Sequence, residues 1–166
     1  MKSIIELPVR IHLINDTQNK FTTTRTENDI RAMFDEINRI WTPAQIRFKI
    51  STVQLETVGH EQIVQLLDRP CIEIPSDNSN FIDIYFLHNF QLISGINLGY
   101  TRRELRRVFI VDNLCDVNDY RCVAHEFGHV LRLDHVTQFD RLMEKRGNGE
   151  TILDWEIRIA RHMAIM

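Results

Sequence analysis

Two histidines and a glutamate occur within five consecutive residues, His125-Glu126-Phe127-Gly128-His129. On an α-helix, residues four positions apart share one face, so both imidazoles can bind the same ion. The glutamate is rotated by about 100° from the first histidine. Its carboxylate therefore lies beside the ion's open position without becoming a ligand. The spacing predicts a metal-binding helix with Glu126 as a base.

A catalytic zinc ion takes three protein ligands and keeps one position for water. His135, six residues beyond His129, is the first candidate for the third ligand. The chain must leave the helix and turn before this imidazole can face the same ion. Glu150 is the alternative and weaker candidate, because Thr151 and Asp154 beside it are equally well explained as N-cap residues of a helix.

These residues belong to a longer pattern, because Met143 follows His135 after a short segment. The pattern from His125 to His135, with Met143 beyond it, resembles the signature of the metzincin zinc peptidases, HExxHxxGxxH followed by a methionine turn. Residues 37–48, 81–111 and 141–164 also resemble segments of small bacterial-type metzincins in the same order. The resemblance therefore covers most of the chain, and no subfamily is assigned.

The resemblance implies a zincin-like α+β fold in a single catalytic domain, residues 1–166. Its expected parts are a mixed, twisted, roughly five-stranded sheet, an N-terminal helix, an active-site helix and a C-terminal helix. It also implies one catalytic Zn²⁺ bound by His125, His129 and His135, with Glu126 as the catalytic base and Met143 as an apolar floor of the site. The implied activity is zinc-dependent endopeptidase cleavage of peptide or protein substrates.

Arg132 departs from the family pattern, which has glycine at this position. Glycine suits a helix end that turns into the left-handed conformation, and another residue there costs about 1–2 kcal/mol. We expect the site to assemble nevertheless.

The alternative is a non-catalytic, zinc-containing module that binds peptides or proteins and is impaired by Arg132, but the retained Glu126 argues against it. A structural zinc site would need a fourth side chain, and Cys122 is too far along the helix to provide it.

The elements that position these residues follow from hydrophobic periodicity. Alternation over residues 5–14 predicts a strand, in which Pro8 favours a sheet edge or a strand start. Apolar residues at helical spacing follow the candidate caps Thr26 and Asp29 and end before Pro43, which predicts a helix of about 14 residues. Such a helix between two strands is long enough for a parallel crossover, so a mixed sheet is predicted. Further strands are predicted near 46–50, 81–87, 93–101 and 108–111, and further helices near 60–67, 118–131 and 151–163.

The segment 94–101 is the expected edge strand beside the metal. A substrate peptide could pair with such a strand through backbone hydrogen bonds, which favours broad specificity. The candidate substrate-binding residues are Ser94, Gly95, Leu98 and Gly99.

Composition narrows the possible partners and locations. The chain has 166 residues, 43% of them hydrophobic, and a formal net charge of −3, which gives no electrostatic reason to expect nucleic acid. The basic run from Arg102 to Arg107 is interpreted as a solvated face around a turn. No apolar stretch approaches the about 20 residues of a membrane span, and no signal peptide is apparent. Reduced thiols are expected, with Cys115 and Cys122 pairing only under oxidising conditions, so a cytoplasmic location is predicted.

Overall fold

The computed structural model of the protein describes residues 3–63, 80–88, 99–112, 119–145 and 147–166. Within these residues, a five-stranded sheet and the helices packed on it form an α+β fold. The strands, in chain order, are β1 (Ile5–Asp16), β2 (Ile46–Val58), β3 (Ile82–Leu87), β4 (Gly99–Arg102) and β5 (Arg107–Val111). The helices are α1 (Glu27–Trp41), α2 (Asp119–Val130) and α3 (Asp154–Ala164), and short 3-10 turns lie at Thr42–Ala44 and Arg103–Leu105.

The sheet is mixed, as predicted, with the strand order β2-β1-β3-β5-β4. Strand β1 runs parallel to both β2 and β3, and β3 runs parallel to β5. Strand β4 alone among the described strands is antiparallel to its neighbour, β5. Helix α1 provides the crossover between the parallel strands β1 and β2, which a tight turn could not provide.

Of the two positions predicted for Pro8, the sheet edge is wrong, because β1 lies between two neighbours, whereas the strand start fits, because Pro8 is the fourth residue of β1. The pairing registers give the reason. Strand β1 pairs with β2 from Ile5 onwards but with β3 only from Val9 onwards. Pro8 therefore lies in the part of β1 that has a single neighbour, and its missing N–H group disturbs at most one ladder.

Helix α1 begins with the caps that its sequence predicts. The Thr26 hydroxyl accepts a hydrogen bond from the Asp29 backbone N–H at 3.3 Å, and the Asp29 carboxylate accepts one from the Thr26 backbone N–H at 2.8 Å. This reciprocal capping box satisfies two N–H groups that a helix start leaves unpaired. The helix then ends in the 3-10 turn that contains Pro43.

Helix α2 is held against α1 and β2 by aromatic side chains. The Phe127 ring stacks on Phe48 of β2, with 4.2 Å between ring centroids, and meets the edge of Phe34 of α1. The Trp41 indole N–H donates to the Ala124 carbonyl at 3.3 Å, so it keeps a hydrogen bond although it is fully buried. Because these contacts come from two other elements, they fix the rotation of α2 about its own axis.

A buried polar cluster joins three adjacent strands. Asp83 of β3 accepts two hydrogen bonds from Arg10 of β1, at 2.6 and 2.9 Å, and lies 3.0 Å from His12 Nε2. His12 Nδ1 contacts Glu56 of β2, and the Tyr85 ring stacks on the imidazole. Burial alone would raise the pKa of Asp83, but the hydrogen bonds from His12 and Arg10 lower it to about 2. The cluster thus carries paired charges that link β1, β2 and β3.

Several predicted elements are described only in part. The helix predicted near 60–67 begins at residue 60 and is described to residue 63. The strand predicted near 93–101 is described from Gly99 onwards. Cys115 also lies outside the described residues, while Cys122 is a buried free thiol. Among the helices that the structure describes, none is both long enough and apolar enough to cross a bilayer.

Candidate metal centre

The imidazoles of His125, His129 and His135 converge at the end of α2. The Nε2 atom of His135 lies 3.0 Å from Nε2 of His129 and 3.2 Å from Nε2 of His125. One ligand atom from each histidine lies within 4.8 Å of the others. Tetrahedral zinc with Zn–N bonds of about 2.0–2.1 Å places its nitrogen ligands about 3.3–3.4 Å apart. The three histidines can therefore hold one such ion with little movement.

Hydrogen bonds on the opposite ring nitrogens orient two of these imidazoles. His125 Nδ1 lies 2.8 Å from the Leu142 carbonyl oxygen, and His129 Nδ1 lies 2.8 Å from the Leu133 carbonyl oxygen. A carbonyl can only accept, and the Leu133 carbonyl is closer to His129 Nδ1 than the Arg103 Nη2 donor, which lies at 3.1 Å. We therefore assign the ring hydrogen to Nδ1 in both residues and a lone pair to Nε2. Lone pairs that face a common point repel each other unless a cation lies there. The donor set fits a divalent metal ion.

The protonation of the three imidazoles fits the same role, since a ligand histidine must be neutral. Burial lowers the pKa of His125 to about 3 and that of His129 to about 4. Burial also lowers the pKa of His135, and the positive charge of Lys145 adds to the effect. All three rings are therefore ready to bind a cation at neutral pH.

His135 reaches the other two histidines because α2 ends abruptly at Arg132. The Arg132 backbone has φ 64°, the left-handed conformation predicted for this position. Its N–H donates to the His129 carbonyl at 3.0 Å, and the Leu133 N–H donates to the Gly128 carbonyl at 2.9 Å. These two bonds form a Schellman motif, which reverses the chain at a helix end. An arginine thus adopts the conformation that the family pattern assigns to glycine, and the histidines still converge.

The Glu126 side chain extends from α2 towards β4. Its carboxylate accepts a hydrogen bond from the Thr101 hydroxyl at 2.5 Å. A Cβ atom on Gly99 would lie 2.9 Å from Glu126 Cγ and Oε1, so only glycine fits there without displacing the side chain. Burial raises the pKa of Glu126 to about 7, although Thr101 and the charge of Arg103 act in the opposite direction. A nearby cation lowers the pKa of a carboxyl group, so a bound metal would favour the ionised form.

Met143 packs against α2 between the two helix histidines. A Cβ atom on Gly128 would lie only 2.3 Å from the Met143 sulfur, so the side chain rests directly on the helix backbone. Its carbonyl accepts a hydrogen bond from the Val136 N–H at 3.1 Å, which joins the loop after His135 to the loop that carries Met143. The side chain is 1% exposed and provides an apolar contact beside the three histidines.

Arg121 holds the loop around Met143, a role that the sequence reasoning missed. Its buried guanidinium donates to the carbonyls of Leu142 at 3.0 Å, Glu144 at 2.7 Å and Gly149 at 3.1 Å. Arg121 lies four residues before His125, and therefore on the same helix face. The sequence does hold a signal for this role, since a charged residue stands directly before three apolar ones, Cys122, Val123 and Ala124, on a predicted helix.

The interpretation of the basic run as a solvated face is wrong, although the run does form a turn. Arg107 is 2% exposed. The Arg103 guanidinium donates to the Leu133 carbonyl at 2.9 Å and pairs with Asp134 at 2.7 Å. The turn packs against the end of α2, so this side chain has protein partners although it is partly exposed.

The remaining candidates lie apart from the three histidines or outside the described residues. The Glu150 carboxylate pairs with Arg39 of α1 at 2.7 Å and does not join the histidine cluster. Gly99 begins β4, which is the terminal strand in the order of the described sheet. Ser94, Gly95 and Leu98 lie outside the described residues.

Comparison with known proteins gives matches at the level of structure. No protein-family model matches the chain, and no curated protein matches it. Metalloproteinase-II from Bacteroides fragilis is 14% identical with a TM-score of 0.59, and the match covers 98% of this chain and 54% of that one. Archaemetzincin from Methanopyrus kandleri is 12% identical with a TM-score of 0.57, and the match covers 95% and 96% of the two chains. The chain thus spans about half the length of the Bacteroides protein. It shares its zincin-like α+β fold with these two structures.

Proposed function

We propose that the protein is a zinc-dependent endopeptidase in which His125, His129 and His135 bind one Zn²⁺ ion and Glu126 is the catalytic base. The observation that carries the proposal is the convergence of three Nε2 atoms, two of them with lone pairs fixed by hydrogen bonds on Nδ1. The names of the two fold relatives, a metalloproteinase and an archaemetzincin, support the same class of activity.

Glu126 carries the proton transfers. Zinc, when bound, acidifies a water molecule and polarises the scissile carbonyl. Glu126 accepts a proton from the attacking water and passes it to the amine that leaves. The Thr101 hydroxyl donates to the carboxylate and so restricts its orientation. Burial raises the pKa of Glu126, which offsets part of the lowering that a nearby cation causes and so helps the carboxylate to act as a base.

Strand β4 is the proposed docking edge for the substrate. It is the last strand in the order of the described sheet, next to β5. Its residues Gly99 and Thr101 both contact Glu126. A peptide that pairs with the backbone of this edge would lie beside the base. Backbone pairing reads few side chains, so we propose a broad range of peptide sequences as substrates. Ser94, Gly95 and Leu98 remain predicted contributors to this edge.

The alternative, a non-catalytic binding module impaired by Arg132, has less support. Its basis is the absence of glycine at the end of α2. Arg132 nevertheless adopts the left-handed conformation, and His135 still comes within 3.2 Å of the His125 Nε2 atom. A binding module would also have no use for a carboxylate held beside the metal position.

Zinc content and cleavage of a peptide library, measured on the same samples, test the proposal. The wild type should contain one zinc per chain and cleave peptides. Glu126→Ala should keep zinc and lose activity by about 10²–10⁴-fold, because general base catalysis contributes this much. His135→Ala should lose zinc, whereas the matched control Glu150→Ala should keep both zinc and activity.

Each outcome separates the hypotheses. A wild type that binds zinc and cleaves no peptide would favour the binding module. Unchanged cleavage by Glu126→Ala would remove this residue from the mechanism. Loss of zinc in Glu150→Ala, with retention in His135→Ala, would replace the proposed third ligand.

A further inference from the structure

The carbonyls that orient the two helix histidines share an unusual feature, because each also accepts a hydrogen bond from an arginine. The Leu142 carbonyl accepts from His125 Nδ1 at 2.8 Å and from Arg121 Nη2 at 3.0 Å. The Leu133 carbonyl accepts from His129 Nδ1 at 2.8 Å and from Arg103 Nη2 at 2.9 Å, and the same Nη2 atom also lies 3.1 Å from His129 Nδ1. The same unit of imidazole, carbonyl and guanidinium therefore occurs twice at one site.

Arg121 fixes the first carbonyl from within the core. Arg121 is 5% exposed. Among the described residues, its hydrogen-bond acceptors are all backbone carbonyls of the segment 141–149. Several carbonyls bound to one rigid, planar guanidinium cannot move independently. The Leu142 carbonyl therefore keeps its place relative to α2, which also carries His125.

Arg103 fixes the second carbonyl from the turn that follows β4. Its guanidinium reaches across to the chain beyond α2, where it bonds the Leu133 carbonyl and pairs with the Asp134 carboxylate at 2.7 Å. Both acceptors lie between His129 and His135, so one side chain holds the segment that connects two of the converging imidazoles. Asp134 also offsets the positive charge of Arg103, which limits its repulsion of a cation at the site.

We propose that Arg121 and Arg103 are positioning residues that hold the histidine-orienting carbonyls in place and thereby strengthen metal binding. Without them, each carbonyl could rotate and its imidazole would lose a fixed orientation. Partners of this kind, one step removed from the ligands, change metal affinity by about 10–100-fold when they are removed. The inference deepens the proposed function and rests on it for the identity of the metal.

Zinc affinity measured by competition with a chelator tests the proposal without reference to catalysis. Arg103→Met keeps much of the aliphatic stem and removes the guanidinium, and it should weaken zinc binding by about 10–100-fold. Arg103→Lys should restore part of the affinity because it can still donate to the Leu133 carbonyl. Arg31→Met makes the same chemical change on the exposed face of α1 and should leave the affinity unchanged.

The buried position of Arg121 calls for a check on folding. Arg121→Met should also weaken zinc binding, and circular dichroism of the zinc-free protein shows whether this variant is folded. If it is not folded, the partly exposed Arg103 alone decides the result.

The outcomes distinguish this inference from the function on which it rests. If the wild type and folded Arg103→Met bind zinc equally well, the positioning role is wrong and the proposed metal site stands. If Arg31→Met weakens binding as much as Arg103→Met, the effect belongs to overall charge and the positioning role is again wrong. If the wild type binds no zinc, both the inference and the proposed function fail.

Discussion

Arg132 shows how one residue can depart from a pattern without loss of the geometry that the pattern serves. Its left-handed backbone, with φ 64°, closes the Schellman motif that returns the chain towards the histidines. A side chain in this conformation costs about 1–2 kcal/mol because Cβ approaches the following carbonyl. The surface pair with Glu104 at 3.2 Å offsets little of that cost, since exposed ion pairs are weak.

Replacement of Arg132 by glycine and by alanine isolates the backbone strain, because both variants lose the same side chain and ion pair. We expect Arg132→Gly to have a higher free energy of unfolding than Arg132→Ala by about 1 kcal/mol, after allowance for the greater freedom of glycine in the unfolded chain. Urea denaturation at equal zinc concentration measures the difference. An alanine variant as stable as the glycine variant would show that position 132 is unstrained.

Strand β4 and the turn after it form one continuous contact with α2 and the chain just beyond it. Residues two apart in a strand face the same side, and Gly99, Thr101 and then Arg103 all contact α2 or the chain just beyond it. The first two contact Glu126, and the third bonds the Leu133 carbonyl. One edge of the sheet therefore positions the base and supports the orientation of a predicted ligand.

A methyl group at residue 99 tests this close approach. Gly99→Ala would bring Cβ to 2.9 Å from Glu126 Cγ, so the carboxylate must shift. Such misplacement should lower peptidase activity by about 10–100-fold while zinc content stays the same. In the control Gly59→Ala, the new Cβ meets only the end of the flexible Gln62 side chain at 3.3 Å, and activity should be unchanged. Wild-type activity in Gly99→Ala would show that β4 does not position the base.

Across the molecule, the hydrophobic core is built from apolar side chains and not from the predicted metal ligands, although it borders them at buried His125 and at Met143. The core lies between the sheet and the helices and includes fully buried Ile11, Ile37, Phe86 and Ile110. The three histidines lie at one end of α2 and in the segment after it. Because the core does not depend on the ligands, the fold should persist without the metal.

Zinc should therefore stabilise a chain that is already folded. At a zinc concentration of 100 times Kd, binding adds about 2.7 kcal/mol to the free energy of unfolding. For a chain of this size this raises Tm by about 5–10 °C. Thermal unfolding followed by circular dichroism, with zinc and with a chelator, measures the shift. A zinc-free spectrum without helix or strand signal would mean that the metal is part of the core.

The sequence predicted the elements and the grouping of the three histidines better than it predicted which residues support them. His125 and His129 are local in the chain, and helical spacing alone places them together. Arg103 and Arg121 both bind backbone carbonyls. Because every residue has a backbone carbonyl, a sequence does not show which one a side chain will bind. The interpretation of the basic run as a solvated face fails because the packing of its turn against α2 depends on tertiary contacts. The sheet position of β1 likewise depends on where β3 joins it, which Pro8 does not reveal.

The contact between Gly128 and Met143 has a consequence for chemical ageing. Oxidation of a methionine adds a polar oxygen to its sulfur, and the Met143 side chain is 1% exposed, with its sulfur against the helix backbone. Met166, in contrast, is 83% exposed. Peroxide will therefore modify the end of the chain long before it reaches the thioether beside the histidines, and the site stays protected by its own packing.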